Sequence, residues 1–184
     1  MLYKITDVQL HVPVKIGDYT DFYSSRAHAF NVGSIIRGPQ NALNENWLHI
    51  PIGYHARSSS IVVSGTQFNR PRGQVKAKDA IQPSFSDCKR LDFEMEVGAF
   101  IGGNPNQLGK PIKVNEAWNY VFGFVLLNDW SFRDFQTWEY VPLGPFTAKN
   151  GVSTISPWIV TLEALEGCQV PLSKQEPEPL RYLQ

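Results

Sequence analysis

Cysteine is scarce in this sequence, and the two present, Cys88 and Cys168, lie 80 positions apart with no CxxC pattern. That spacing excludes a thiolate zinc site and gives no sign of a disulfide framework. Apolar runs are short as well. None approaches the roughly 20 residues that a membrane-spanning helix requires. Charge of one sign is also missing: lysine plus arginine equal aspartate plus glutamate, 17 against 17, for a formal net charge of zero. A basic nucleic-acid binder would carry an excess or a dense basic stripe. The one basic cluster, Arg70, Arg72, Lys76 and Lys78, sits among Gly, Pro and Gln and reads as a solvated loop. Neither nucleic acid nor a membrane is an expected partner. The opening LYKITDVQLHV lacks the basic flank and apolar core of a secretory leader, so a cytoplasmic location is the default expectation.

What is present suits one globular domain over residues 1–184, with 42% hydrophobic residues to supply a core. No internal repeat is visible. Residues 1–14 alternate apolar and polar side chains (Leu2, Ile5, Val8, Leu10, Val12) as far as Pro13, which predicts a strand. Two serines in SSRAHAF, residues 24–30, offer a cap for a short helix. WLHIPI (47–52) and SIVVS (60–64) read as short strands around a polar turn at 53–59, and the polar, Pro- and Gly-rich 66–87 reads as a long connection. LDFEMEVGAFIG (91–102) alternates like a strand, VNEAWNYVFG (114–123) begins helically, and FVLLND (124–129) is a buried strand ending on a polar residue. SFRDFQTWE (131–139) reads as a helix, with Ser131 placed to cap it and Asp134 in its first turn. TISPWIVTLEAL is a final strand running into a turn. The sum is a mainly β architecture with minor helices.

Several residues offer chemistry. Glu94 and Glu96, two apart on a strand, project from one face, and Phe93, Met95 and Val97 occupy the other, which resembles core. Two adjacent carboxylates repel unless a cation lies between them, although an isolated pair reads first as the solvated face of an edge strand. Asp129 closes an apolar strand, where a residue can emerge into a cleft or simply cap a helix. Asp21 lies in DYTDFYSSR. If Asp21, Glu94, Glu96 and Asp129 converge, the all-oxygen set suits magnesium or calcium rather than zinc. Arg133, Gln136 and Tyr140 are spaced i, i+3, i+7 and share a helical face if the helix runs that far, offering donors to a developing anion or forming an ordinary polar surface. Lys149, within the loop PLGPFTAKNG, is open to a similar double reading. His28 is the histidine nearest another candidate, seven residues after Asp21, and its side-chain chemistry suits a general base.

Together, DYTDFYSSRAHAFNVGSIIRG, NWLHIPIGYHARSSSIVVSGT, RLDFEMEVGAFIG and FVLLNDWSFRDFQTWEYVPLGPFTAKN followed by TISPW resemble the fumarylacetoacetase family, across roughly Asp7 to Leu183. NDWS-x-RD-x-Q is shared by a wider fumarylacetoacetate hydrolase superfamily, whereas DYTDFYSSR and QTWEYVPLGPF are narrower. The resemblance implies part of a mixed β-roll or β-sandwich of the family's C-terminal domain type. It implies a hydrolase that cleaves a carbon–carbon bond of fumarylacetoacetate, giving fumarate and acetoacetate in tyrosine and phenylalanine breakdown. Asp21, Glu94, Glu96 and Asp129 match the carboxylates that bind calcium or magnesium. His28 matches the histidine that activates water, and Arg133, Gln136 and Lys149 match the groups that stabilise the leaving carbanion. Tyr23, Arg37, Tyr54 and Tyr140 match substrate contacts. Lys149 and Ser153 fall where some members have a second, magnesium-associated site, with serine standing where threonine is expected.

The resemblance also implies a small N-terminal β-barrel domain before the equivalent of Lys4. After Tyr182 it implies a later segment carrying a glutamate that orients the histidine. Neither is in these residues, so the chain is expected to be an internal fragment or an unusually truncated member, to act poorly alone, and to form homodimers or larger assemblies. Two other readings are an acylpyruvate hydrolase or related decarboxylase, and a silent remnant that only binds metal or partner chains.

Overall fold

The computed structural model describes residues 2–184. They form two compact units, each assembled from three stretches of chain: one from residues 20–55, 101–122 and 162–184, the other from 2–19, 56–100 and 123–161.

In the first unit, strand β1 (Tyr19–Phe22) pairs with β2 (Gly53–Ala56), and helix α1 (Arg26–Arg37) lies between them in sequence. Ser25 caps α1 by accepting a hydrogen bond from the His28 N–H at 3.4 Å, which offsets one of the unpaired amides of the first turn. The helix stops at Gly38, whose φ of 85° closes the turn and returns its N–H to the Ser34 carbonyl. The serine-led helix is therefore present and longer than its apolar pattern suggested. WLHIPI is not a strand. Residues Glu45–Leu48 turn as a 3-10 helix, and pairing begins only at Gly53, inside the expected turn. Pro51 has no N–H to give a ladder, so the strand starts beyond it.

The second unit holds the remaining strands: β3 (Ile61–Val63), β4 (Arg72–Val75), β5 (Ser84–Asp87), β6 (Leu91–Asp92), β7 (Met95–Ile101), β8 (Val121–Asp129), β9 (Ser131–Phe132), β10 (Ser153–Ile155) and β11 (Val160–Thr161). Helix α2 (Arg133–Glu139) follows β9 directly. The nine-residue β8 is the spine of a five-stranded mixed sheet. It pairs antiparallel with β11 along its first half and with β10 along its second, β10 continues parallel to β3, and β7 also joins β8. Val125 and Leu127 on β8 and Ile155 on β10 form one buried cluster, with Val12, Ile16, Ile61 and Phe100 packed on it. A second cluster, Cys88, Phe132, Phe135 and Ala148, with Val75 and Leu91 packed on it, holds α2 against β4, β6 and β9. Gly73 on β4 leaves room for the Phe135 ring, since a Cβ there would stand 2.9 Å from it.

Four expectations for this unit are corrected. Residues 2–14 form no strand among the described residues, only a single turn at Ile5–Asp7. Their side chains are mostly exposed, and alternation without a neighbouring edge cannot make a ladder. The supposed connection at 66–87 contains the β4–β5 hairpin, in which Arg72 pairs with Asp87 at 2.9 Å and Lys76 lies 5.5 Å from the Trp138 ring, while Arg70 donates to the Cys88 carbonyl at 2.7 Å, so three of its basic residues are structured. Ser131 does not cap α2. It lies buried in β9, its hydroxyl donating to the Asp129 carbonyl at 3.2 Å. Finally, Phe93, Met95 and Val97 are 63%, 69% and 66% exposed. The alternation of β7 was legible, but its apolar side is the open one.

Cys88 is buried, and burial together with a 3.1 Å hydrogen bond to Asp134 pushes its thiol up to about 11; Cys168 is exposed. A thiol kept neutral adds stability below its ordinary value near about 8.5, and this is lost as pH rises through the folded value. At pH 8, a thiol reagent is expected to titrate one cysteine quickly and the second only on unfolding. Two fast equivalents would contradict the burial of Cys88.

Candidate active site

In the second unit, β7 and β8 bring their polar ends together. The Asp129 N–H donates to the Glu94 carbonyl at 3.0 Å, and the Glu94 N–H donates to Asn128 Oδ1 at 3.2 Å. One main-chain bond and one bond to the Asn128 side chain thus set Glu94 and Asp129 side by side. Glu94 is 9% exposed and Asp129 1% exposed. A carboxylate oxygen of Glu96, two residues along β7, comes within 4.8 Å of one on Asp129.

Two cations answer them. Lys149 Nζ, 5% exposed, donates to Glu94 Oε2 at 2.5 Å and to Asp129 Oδ2. Arg133, the first residue of α2, donates from Nη2 to Glu94 Oε1 at 2.5 Å and from Nε to Asp92 Oδ2 at 2.9 Å. Its Nη1 donates to Gln136 Oε1 at 2.8 Å, which aims the Gln136 amide. Burial alone would lower the pKa of Lys149, but Asp129 and Glu94 outweigh it and hold the ammonium above its ordinary value. Burial opposes the Arg133 charge in the same way and is overcome by Glu94 and Asp92. Both groups stay charged throughout the neutral range. Lys149 and Arg133 are thereby tied by three ion pairs to Glu94 and Asp129, and Arg133 by a fourth to Asp92.

Ser153 is buried on β10 directly across from Asp129. Tyr140 follows the last residue of α2, its N–H on the Gln136 carbonyl at 3.0 Å. The helix thus ends one residue short of the expected i, i+3, i+7 face, and Arg133 and Gln136 alone share its body. Asp92 belongs with these residues and was missed. D-F-E-M-E alternates three acids, not two, and that signal could have found it.

The first unit carries the other candidates. Asp21 on β1 is buried and accepts a 2.6 Å hydrogen bond from the Tyr54 hydroxyl on β2. The Tyr23 hydroxyl donates to the Ala29 carbonyl at 3.0 Å, and its ring meets that of His28 edge-on, 5.6 Å between centroids. His28 stands in the first turn of α1. Arg37, at the other end, donates to the carbonyls of Asn41 at 3.0 Å and Ala42 at 2.6 Å, securing the chain that follows the helix.

Residues 18–174 match the family described as "Fumarylacetoacetate (FAA) hydrolase C-terminal". The chain belongs to this fumarylacetoacetate hydrolase family. It is 56% identical over 185 aligned residues to the fumarylacetoacetase of Dictyostelium discoideum, covering 100% of this chain and 43% of that protein. It is 55% identical over 174 residues to that of Homo sapiens, covering 95% of this chain and 41% of that protein. The chain therefore spans less than half the length of these relatives. A solved structure of 2-hydroxyhepta-2,4-diene-1,7-dioate isomerase from Mycobacterium marinum aligns at TM-score 0.55 and 18% identity, covering 87% of this chain and 48% of that one, and it shares the fold. Mainly β structure with mixed sheets agrees with that family fold. Among the described residues no helix is long and apolar enough to cross a membrane.

The family is metal-dependent, and the donor set here fits that property. Clustered carboxylates that include Glu96 and Asp129 could hold a metal ion.

Proposed function

We propose that this chain carries the cation-binding and carbanion-stabilising part of a fumarylacetoacetase active site. The observation that carries the reading is the buried network in which Lys149 and Arg133 converge on Glu94 beside Asp129. Asp21, Glu94, Glu96 and Asp129 would hold the magnesium or calcium ion, and Lys149 and Ser153 would border a second magnesium. When bound, the ion supplies Lewis-acid stabilisation of an enolate oxygen.

The chain's own groups do the rest. His28 takes a proton from water as the oxygen adds to one ketone of the 1,3-diketone. The carbon–carbon bond then breaks, and its electron pair leaves as the enolate of acetoacetate. Arg133, Gln136 and Lys149 donate hydrogen bonds as that charge develops, each worth about 3 kcal/mol if aligned in advance. Protonation of the enolate completes acetoacetate, and the acyl part departs as fumarate. Tyr23, Arg37, Tyr54 and Tyr140 contact substrate on this reading, Arg37 through N–H groups not spent on Asn41 and Ala42. The open apolar side of β7 supports self-association, and we place the protein in the cytoplasm as a homodimer or larger assembly engaged in tyrosine and phenylalanine breakdown.

The test uses a chimera in which these residues replace the matching 43% of the Dictyostelium discoideum relative. It is expected to consume fumarylacetoacetate with added magnesium or calcium, to stop with a chelator, and to leave acylpyruvates largely untouched. Preference for acylpyruvates would transfer the chain to another activity of the superfamily, and no turnover of either would leave it a silent binder. The 184 residues alone are expected to bind the cation saturably but turn over poorly, because a base works only when held in hydrogen-bond reach of its water.

A further inference from the structure

Glu139 stands at the wrong end of its helix. It is the last residue of α2, where the helix dipole is negative and an acid is disfavoured. Its carboxylate is nevertheless fully engaged. Oε1 accepts from the Phe146 N–H at 2.8 Å and the Ala148 N–H at 2.6 Å, and Oε2 from the Thr147 N–H at 3.0 Å. Three successive amides pointing at one anion make a concave backbone nest, and the Lys149 N–H closes the same turn on the Phe146 carbonyl at 3.1 Å. The Ala148 carbonyl in turn accepts from the Phe132 N–H at 3.0 Å.

The next side chain is Lys149. A lysine stem has four flexible carbons and can deliver its charge to many places, so the direction of a buried one must be fixed by the backbone from which it starts. We infer that Glu139 is a positioning residue: its carboxylate locks the turn at Phe146–Ala148 to the end of α2, thereby aiming Lys149 at Glu94 and Asp129. One acid then ties Arg133 and Gln136, on the body of α2, to Lys149 on the loop, so that the three anion-stabilising donors keep a fixed mutual geometry. The inference rests on the proposed role of Lys149 in stabilising the departing carbanion. A glutamine at 139 keeps the size but offers one acceptor where three N–H groups converge, and turns an N–H₂ toward the third.

The 184-residue chain tests the geometry without turnover. In the unaltered protein the amides of Phe146, Thr147 and Ala148 are expected to exchange with solvent at least about ten times more slowly than that of exposed Leu143; equal rates overturn the inference. In Glu139→Gln those three amides are expected to exchange faster, and acylation of Lys149 by an amine reagent to speed up about ten-fold or more. In the chimera, kcat is expected to fall about 10- to 100-fold with KM little changed, because the misaimed group acts in the transition state. Glu139→Asp, which keeps the charge, should recover part of the loss. Freed amides with unchanged Lys149 labelling and unchanged kcat overturn the inference. Faster labelling, together with a Lys149→Met variant that turns over normally, leaves the positioning intact and removes the catalytic reading of Lys149.

Discussion

Replacing Asp129 by asparagine is expected to abolish metal-dependent turnover in the chimera while leaving the fold in place. The carboxylate sits at the end of β8, fastened to Glu94 through its own main chain, so the strand does not need the charge in order to pair. On the proposed ligand set the cation does need it. Loss of one hard anionic ligand removes a share of the several kcal/mol that such an ion contributes, on the order of a thousand-fold in kcat/KM. Asparagine retains an acceptor for Lys149, and the cost in stability should stay within about 1–2 kcal/mol. Alanine would cost more, since it strands a buried ammonium with Glu94 as its remaining partner among these two. Cation titration and thermal melting of the same sample provide the check. A variant that unfolds would make Asp129 a structural residue, and one that binds the ion normally would remove it from the ligand set.

Lys149→Met is the second large effect, and its sign in stability is opposite to what a hydrophobic replacement usually brings. Methionine fills similar volume, but Asp129 is left buried without its cation. Removing one partner of a buried pair costs about 3–5 kcal/mol, and the lower figure is expected because Glu94 retains Arg133. For a chain of this length that corresponds to a fall of roughly 10 °C in the melting midpoint. Added magnesium should restore part of it in the variant and less in the parent, because the ion replaces a missing positive charge. The pH dependence follows from the raised value of Lys149. Its stabilisation is fully present below the ordinary lysine value near about 10.4 and fades only as pH rises through the higher folded value. The two proteins should therefore differ by a constant amount through the neutral range and converge in strong alkali. A variant as stable as the parent at pH 7 would show that the ammonium is not bridging these carboxylates.

The sequence made β8 plain, because FVLLND is apolar on both faces and stops on an acid, the pattern of a strand buried in a sheet. It made the Ser25 cap of α1 plain through a rule that acts within one turn, whereas the same rule misplaced Ser131, which lies buried in β9 and does not cap α2. The β4–β5 hairpin was hidden, since ladder hydrogen bonds come from backbone and leave no mark in a polar, glycine-rich stretch. Residues 2–14 failed for the complementary reason: alternation was present and, among the described residues, a partner edge was not. At the site, the types of residue were legible and their connections were not. Nothing near Lys149 in sequence marks it as buried, because its surroundings are Glu94 and Asp129, 55 and 20 positions away. Glu139 gave no signal at all, its partners being main-chain amides that any residue supplies.

The close fit of Gly73 beneath the Phe135 ring carries a warning for anyone interpreting variants of this chain. Gly73 lies on a small hairpin and holds no charge, so a substitution there would be filed as remote and harmless. Yet the ring it admits is the anchor of a helix only seven residues long, too short to hold its course without that anchor. A side chain at position 73 would lift the helix, and Arg133 and Gln136 would travel with it. The defect would surface as impaired chemistry in a protein that still expresses, still folds, and carries every residue of its proposed site unchanged.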